Sequence, residues 1–150
     1  MRFWDASAIV PLLLQDAATA TMMALLNEDA VMLVRWGTPV ECASALARLE
    51  RGGALSLASA AQALARLKAL SEGWQEILPE TTIRSTAQRL LRVHPLRAAD
   101  SLQLAAAVIA AEHEPGNLDF VCLDERLSDA AGREGLALPT TIALPTPGSG

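Results

Sequence analysis

Two kinds of stretch alternate along the chain. In the first, apolar residues predominate over five or six positions: residues 1–5, Val31-Met32-Leu33-Val34-Arg35-Trp36, and Leu118 to Leu123. Such runs suit strands buried on both faces. Trp74 to Leu78 is a shorter candidate, and Leu136 to Leu144 contains a last one. In the second kind, apolar positions recur every three or four residues, as at Ala60, Leu64, Leu67 and Leu70, which predicts helices. Helices are expected over Ser7 to Gln15, Thr19 to Leu26, Thr38 to about Glu50, from Ser56 or Ser59 onward, Thr81 to Val93, Arg97 to Glu112 and Asp124 to Gly132. Thr38-Pro39-Val40-Glu41 reads as a capping box, with Thr as cap and Glu reaching back to its amide. Gly52-Gly53 and His94-Pro95 end helices, and Pro115-Gly116-Asn117 marks a turn. Strands alternating with helices predict an α/β fold with a parallel sheet covered on both faces. Ligands of such sheets bind beyond the carboxyl ends of the strands.

Composition narrows the classes. The chain has 150 residues, 51% of them hydrophobic, enough for one domain with a substantial core. We expect a single domain over residues 1–144 and a flexible tail over 145–150, where Pro, Gly and Ser concentrate. The net charge is −5, so the overall field does not attract nucleic acid and any phosphate must meet local basic groups or bound cations. There is no Tyr, with two Phe and three Trp, which argues against a single-strand binder built on stacking platforms. Cys42 and Cys122 lack the spacing of a zinc site. Isolated thiols of this kind are expected to be buried and reduced, as in a cytoplasmic protein. Residues 8–14 faintly imitate a signal peptide, but Asp5 interrupts the approach and the run is short. The alanine-rich run Leu104 to Ala111 is too short to span a membrane, so no membrane association is expected.

Four acids then stand out: Asp5, Glu41, Asp100 and Asp124. Each has an ordinary structural explanation. Asp5 or Ser7 caps the first helix, and Asp124 caps the last. Glu41 completes the capping box. Asp100 caps a later-starting helix or pairs with Arg97. Burial strains these explanations most at Asp100, which lies in Ala98-Ala99-Asp100-Ser101-Leu102-Gln103-Leu104-Ala105-Ala106-Ala107. A helix apolar nearly all round is buried, and a charge within it needs a partner. One acid follows the first strand, one opens the helix after the second, one lies in the buried helix and one follows the penultimate strand. A doubly wound sheet can gather all four at one edge. Clustered carboxylates repel unless cations intervene, and hard oxygen ligands suit Mg²⁺ or Mn²⁺. Such a centre activates a water, orients a phosphodiester and stabilises the leaving oxygen.

At these positions the sequence resembles the PIN-domain family, in particular the VapC-type toxins of toxin–antitoxin pairs. The resemblance rests on Trp4-Asp5-Ala6-Ser7-Ala8, Pro39-Val40-Glu41-Cys42-Ala43-Ser44-Ala45-Leu46, Leu96-Arg97-Ala98-Ala99-Asp100-Ser101-Leu102-Gln103-Leu104-Ala105 and Phe120-Val121-Cys122-Leu123-Asp124-Glu125-Arg126-Leu127. Order and spacing match over nearly the whole chain. The resemblance implies a PIN-like three-layer α/β sandwich with a central parallel sheet flanked by helices. It implies a Mg²⁺- or Mn²⁺-dependent endoribonuclease that hydrolyses RNA phosphodiesters with a metal-activated water. Asp5, Glu41, Asp100 and Asp124 are then the catalytic, metal-binding acids, and Ser7 supports the first. It also implies a homodimer and a cognate antitoxin that inserts a segment into the acidic groove. Gln103 stands where many relatives carry His. Arg97 and Arg126, beside the acids, contact phosphate or form salt bridges to those same acids.

Two other classes stay open. A phosphatase of haloacid-dehalogenase type would use Asp5 as nucleophile, but that family wants a second Asp where this chain has Ser7. A non-catalytic dimeric binding protein would use the acids only as caps and ion pairs, and its stability would ignore divalent metal.

Overall fold

The computed structural model describes residues 1–113 and 118–139. Its elements in chain order are β1 (Arg2–Trp4), α1 (Ala6–Leu13), α2 (Thr19–Glu28), β2 (Met32–Arg35), α3 (Thr38–Arg51), α4 (Leu57–Ser71), β3 (Gln75–Ile77), α5 (Thr81–Val93), α6 (Ala98–His113), β4 (Asp119–Val121) and α7 (Glu125–Arg133). The four strands form one all-parallel sheet in the order β3-β2-β1-β4. From β1 the chain steps outward through β2 to β3, then crosses back to place β4 on the other side of β1. The order therefore reverses between β1 and β4, the point where an open parallel sheet leaves a crevice at its carboxyl ends.

Successive residues of a strand face opposite sides of the sheet, and the core divides accordingly. Phe3, Leu33 and Phe120 pack with Leu90 of α5, Leu104 of α6 and Leu127 of α7. Their neighbours Trp4, Val34 and Val121 pack with Ile9 of α1, Met22 of α2, Leu46 of α3 and Leu67 of α4. The result is three layers: α1–α4, the sheet, and α5–α7. Phe3 and Phe120, adjacent in register, stack with ring centroids 5.7 Å apart. The continuous apolar runs at β1, β2 and β4 thus mark strands covered on both faces. Edge strand β3 differs, since Gln75 and Glu76 are exposed.

Several expectations change in detail. The α3 cap is Gly37, with no side-chain hydrogen bond, and Thr38 is already the first helical residue. The expected capping box is therefore absent. Thr38 is fully buried and its hydroxyl turns inward, so it is unavailable to the amides of its own helix. Asp5, not Ser7, caps α1. Asp100 lies in the first turn of α6 and is half-buried, while the fully buried part of the helix begins at Ser101. Of the expected last strand, Ala137 forms one bridge to Asp119, and residues 140–144 lie outside the described residues. The Pro115-Gly116-Asn117 turn and the 145–150 tail lie outside them too.

Candidate active site

The four acids all sit at helix amino ends. Asp5 is the cap of α1 and Asp124 the cap of α7. Asp100 and Glu41 lie in the first turns of α6 and α3. The positive ends of four helix dipoles thus offset part of the cost of grouping negative charge. The caps are real: Asp5 Oδ2 accepts from Ser7 N at 3.1 Å, and Asp124 Oδ1 accepts from Leu127 N at 3.0 Å. Capping and a site role are therefore compatible in the same residues.

Asp5 is the most enclosed of the four, at 6% exposure. Its Oδ2 also accepts from Ser7 Oγ at 2.5 Å and from Cys122 Sγ at 3.6 Å. All of these bonds fall on one oxygen, leaving Oδ1 without a protein donor among the described residues. Ser7 Oγ in turn accepts from Leu123 N at 2.9 Å. One hydroxyl thereby ties the acid at the end of β1 to the chain leaving β4. Buried Cys122 bonds both Asp5 and the Asp124 carbonyl. Burial pushes its thiol up to about 12, as it does for Cys42, so both are protonated and neither offers a thiolate.

Charge couples the acids. Burial raises the Asp5 carboxyl above its ordinary value, against the Ser7 and Cys122 hydrogen bonds, and Asp124 raises it further. Burial raises Asp100 too, with Asp124 and Asp5 adding to the effect and the Arg97 amide and side chain opposing it. Burial likewise raises Glu41, opposed by Arg35 and reinforced by Asp5 and Asp100. The fold therefore brings all four into one electrostatic neighbourhood. It does not draw them into a closed cage: among the described residues no three Asp, Glu, His or Cys side chains form a group tight enough to hold a metal ion. Like charges separate when nothing lies between them, and each of the acids has a protein donor of its own. By donor chemistry the set fits a hard divalent cation, being all carboxylate with its nearest thiol protonated.

Arg97 and Arg126, beside the acids in sequence, are exposed and form no ion pair among the described residues. The basic group that enters the site is Arg35, at the carboxyl end of β2. Its Nη2 donates to Glu41 Oε1 at 2.5 Å and its Nε to Gln103 Oε1 at 2.9 Å. Sequence reasoning missed it. The signal was nevertheless the same as for Asp5: a charged residue ending a buried strand. An apolar cleft of about 390 Å³ lies on the flank of Arg35, lined by Trp36, Ile77, Leu78 and Leu102 and by none of the four acids.

No protein-family model and no curated protein matches the chain. Solved structures do. FitAcB from Neisseria gonorrhoeae superposes with a TM-score of 0.65 at 17% identity, covering 96% of this chain and 100% of that one. VapC20 from Mycobacterium tuberculosis, a sarcin-ricin loop cleaving toxin, gives 0.62 at 19% identity over 87% and 95%. A toxin–antitoxin complex from Klebsiella pneumoniae gives 0.56 at 14% identity over 83% and 87%. The chain has a PIN-like fold. Within that fold the acids occupy the carboxyl edge of the sheet, at the β1/β4 reversal and beside it.

Proposed function

We propose that this PIN-like protein is a Mg²⁺- or Mn²⁺-dependent endoribonuclease and the toxin of a toxin–antitoxin pair. The observation that carries the reading is the position and state of Asp5. It is a buried carboxylate at the sheet's topological reversal, within the electrostatic reach of Asp100, Glu41 and Asp124, with one oxygen held by Ser7 and the other free of protein donors among the described residues. An idle charge in that setting is costly. The fold shared with VapC20 and with a toxin–antitoxin complex supports the biological class.

Asp5, Glu41, Asp100 and Asp124 make up the acidic centre, and its carboxylates would hold the cation. Bound there, the cation supplies charge stabilisation to a phosphodiester and a more acidic water. The chain's own residues do the rest. Ser7 fixes the rotamer of Asp5 and the distance between the ends of β1 and β4. The helix amino ends lower the cost of ionised acids. Arg97 and Arg126 face solvent beside the acids, where RNA phosphates would meet them. The partners in this reading are RNA, a cognate antitoxin protein and a second copy of the chain. Exposed Leu57, Leu78 and Val93 offer apolar surface for protein contacts. No helix among the described residues is long and apolar enough to cross a membrane.

Ser7 also bears on the phosphatase alternative. Its hydroxyl is committed to Asp5 and Leu123, so no acid two residues past Asp5 stands ready to protonate a leaving group.

The test is cleavage of a defined RNA by the purified chain with Mg²⁺, with Mn²⁺ and with chelator. Metal-dependent endonucleolytic products are the expected result. Cleavage unaffected by chelator, or no cleavage of any RNA presented, would overturn the assignment.

A further inference from the structure

The cleft of about 390 Å³ beside Arg35 has no part in the acidic centre. Its volume lies at the small end of the range that holds small molecules, about 300–1,000 Å³. That is room for one flat ring system and not for a helix about 10 Å across. Trp36 lines the cleft and is 57% exposed. Its backbone is fixed all the same. Trp36 N donates to the Ile77 carbonyl at 2.9 Å and ties the carboxyl end of β2 to that of β3. Half-buried Ile77 and Leu102 add apolar lining. A large aromatic held in water at a strand end, beside an apolar cleft, offers its face to a ligand.

The groups around the indole match the parts of a nucleotide. Exposed Arg84 lines the same cleft and forms no ion pair among the described residues, so it can meet a phosphate. Glu80 lines it too. An ionised carboxylate only accepts hydrogen bonds, which suits an exocyclic amino group on a base edge. An apolar peptide side chain would use neither group. The cleft is also continuous with the acidic centre. Arg35 lines the cleft and donates to Glu41 Oε1. Gln103 braces it at Nε and itself lies 3.4 Å from both the Trp4 carbonyl and Thr38 Oγ1. One braced side chain thus forms the boundary between the two. A strand that lays a phosphodiester at the acids can place a neighbouring base in the cleft.

We propose that Trp36 and its cleft form a subsite for one unpaired nucleobase of the RNA, which stacks on the indole next to the phosphodiester to be cleaved. This rests on the ribonuclease reading and deepens it by naming a residue that selects single-stranded substrate. A base within a duplex would have to leave its stack to enter. One tryptophan serves one base here, which fits a chain with too few aromatics for a run of stacking platforms.

Trp4 and Trp74 are buried and Trp36 is not, so intrinsic fluorescence reports on Trp36. Titrating the full chain in chelator with a short mixed-sequence RNA oligonucleotide should quench that fluorescence. Trp36→Ala should weaken binding at least about fivefold with the slope of log affinity against log salt unchanged, because stacking adds no phosphate contact. Trp36→Phe keeps a ring and should bind within about threefold of the wild type without the quenching. An oligonucleotide of the same length made of abasic residues should bind wild type and Trp36→Ala equally. With Mg²⁺ or Mn²⁺, Trp36→Ala should raise KM for RNA cleavage at least about fivefold. Unchanged Kd and KM in Trp36→Ala would overturn the inference, assign the cleft to a protein partner and leave the ribonuclease reading standing. An equal loss on abasic RNA would overturn it as well. Neither binding nor cleavage of RNA by the wild type would overturn that reading and the inference with it.

Discussion

At the amino ends of β1 and β4, Arg2 bonds Glu28 and Asp119 and donates to the Leu25 carbonyl, while the Met1 ammonium bonds Asp29. At the carboxyl ends of the same strands, Asp5 and Asp124 form no ion pair among the described residues. The pKa directions diverge in step. The Met1 ammonium holds Asp29 below the ordinary carboxylate range. Burial and neighbouring acids hold Asp5 and Asp100 above it. The same sheet thus carries a neutralised end and an acidic end. Pairing at the first end serves cohesion. At the second, one acid is buried and two are half-buried, and they repel one another with partial offset by helix dipoles, an arrangement that costs stability and that a bound cation would relieve in the proposed reading.

The comparison breaks first, and by the largest margin, at the acids. Asp5→Asn and Asp100→Asn should each lower metal-dependent RNA cleavage by about 10²–10³-fold or more, while Arg2→Met leaves the rate constant unchanged at a temperature where it is folded. Neither Asn variant should melt lower than the wild type in chelator, because each removes a repelling charge. Wild-type cleavage rates in both Asn variants would erase the distinction between the two ends. The next effect is on stability. Mn²⁺ at about a hundred times its Kd should stabilise the wild type by about 2.7 kcal/mol, which for a chain of this size raises Tm by roughly 5–11 °C. Arg2→Met should melt lower at every metal concentration, by about 1 kcal/mol, mostly for the Leu25 carbonyl it strands, since Glu28 is exposed, yet keep the same Mn²⁺-induced rise. A thermal scan of both proteins with Mn²⁺ and with chelator separates the two contributions.

Much of this contrast was legible in the chain's pattern. Runs such as Phe3-Trp4 and Met32-Leu33-Val34 carry both faces of a buried strand, so they signal a parallel sheet without further context. Asp5, Asp100 and Asp124 stand out because each interrupts or ends an apolar run, and Glu41 because it opens the helix after the second strand. What stayed hidden were partnerships that only tertiary structure creates. Thr38 looked like a helix cap because local pattern favours it there. The fold instead starts the helix one residue earlier and directs the hydroxyl toward Gln103, 65 residues away in sequence. Arg35 ends a strand as Asp5 does, but its link to Gln103 spans 68 residues, and no local rule pairs them. Gln103 was visible only as a departure from a family pattern, and its role depends on elements that meet around it.

A smaller effect concerns exposed charge. Arg97 forms no ion pair among the described residues yet lies beside Asp100, so in the proposed reading it would meet RNA phosphate at little cost to the fold. Arg97→Ala should weaken binding of a non-cleavable RNA similarly across sequences and flatten the plot of log affinity against log salt by about 0.7. Fluorescence titration at several salt concentrations measures that slope. An unchanged slope would assign phosphate contact to other groups, with Arg126 the next to test.

The finest distinction between the two ends is the sign of their pH dependence in the absence of metal. Asp5 and Asp100 have folded pKa values raised above the unfolded value, so folding favours their protonated forms. Their favourable contribution is full below the unfolded pKa, near 3.8, and is lost as pH rises through the raised values. Asp29 is depressed, so its contribution is present above that unfolded value and is lost as pH falls through the folded one. Melting curves in chelator from about pH 4 to about pH 8 should therefore show Asp5→Asn gaining on the wild type as pH rises, and Asp29→Asn losing ground over the low end of the range. Saturating Mn²⁺ should reverse the first trend, because ligand carboxylates must be ionised and binding then strengthens with pH. Parallel wild-type and Asp5→Asn curves in chelator would mean that Asp5 experiences no net penalty for its charge. The acidic end would then be as neutralised as the amino end, with no cation needed to complete it.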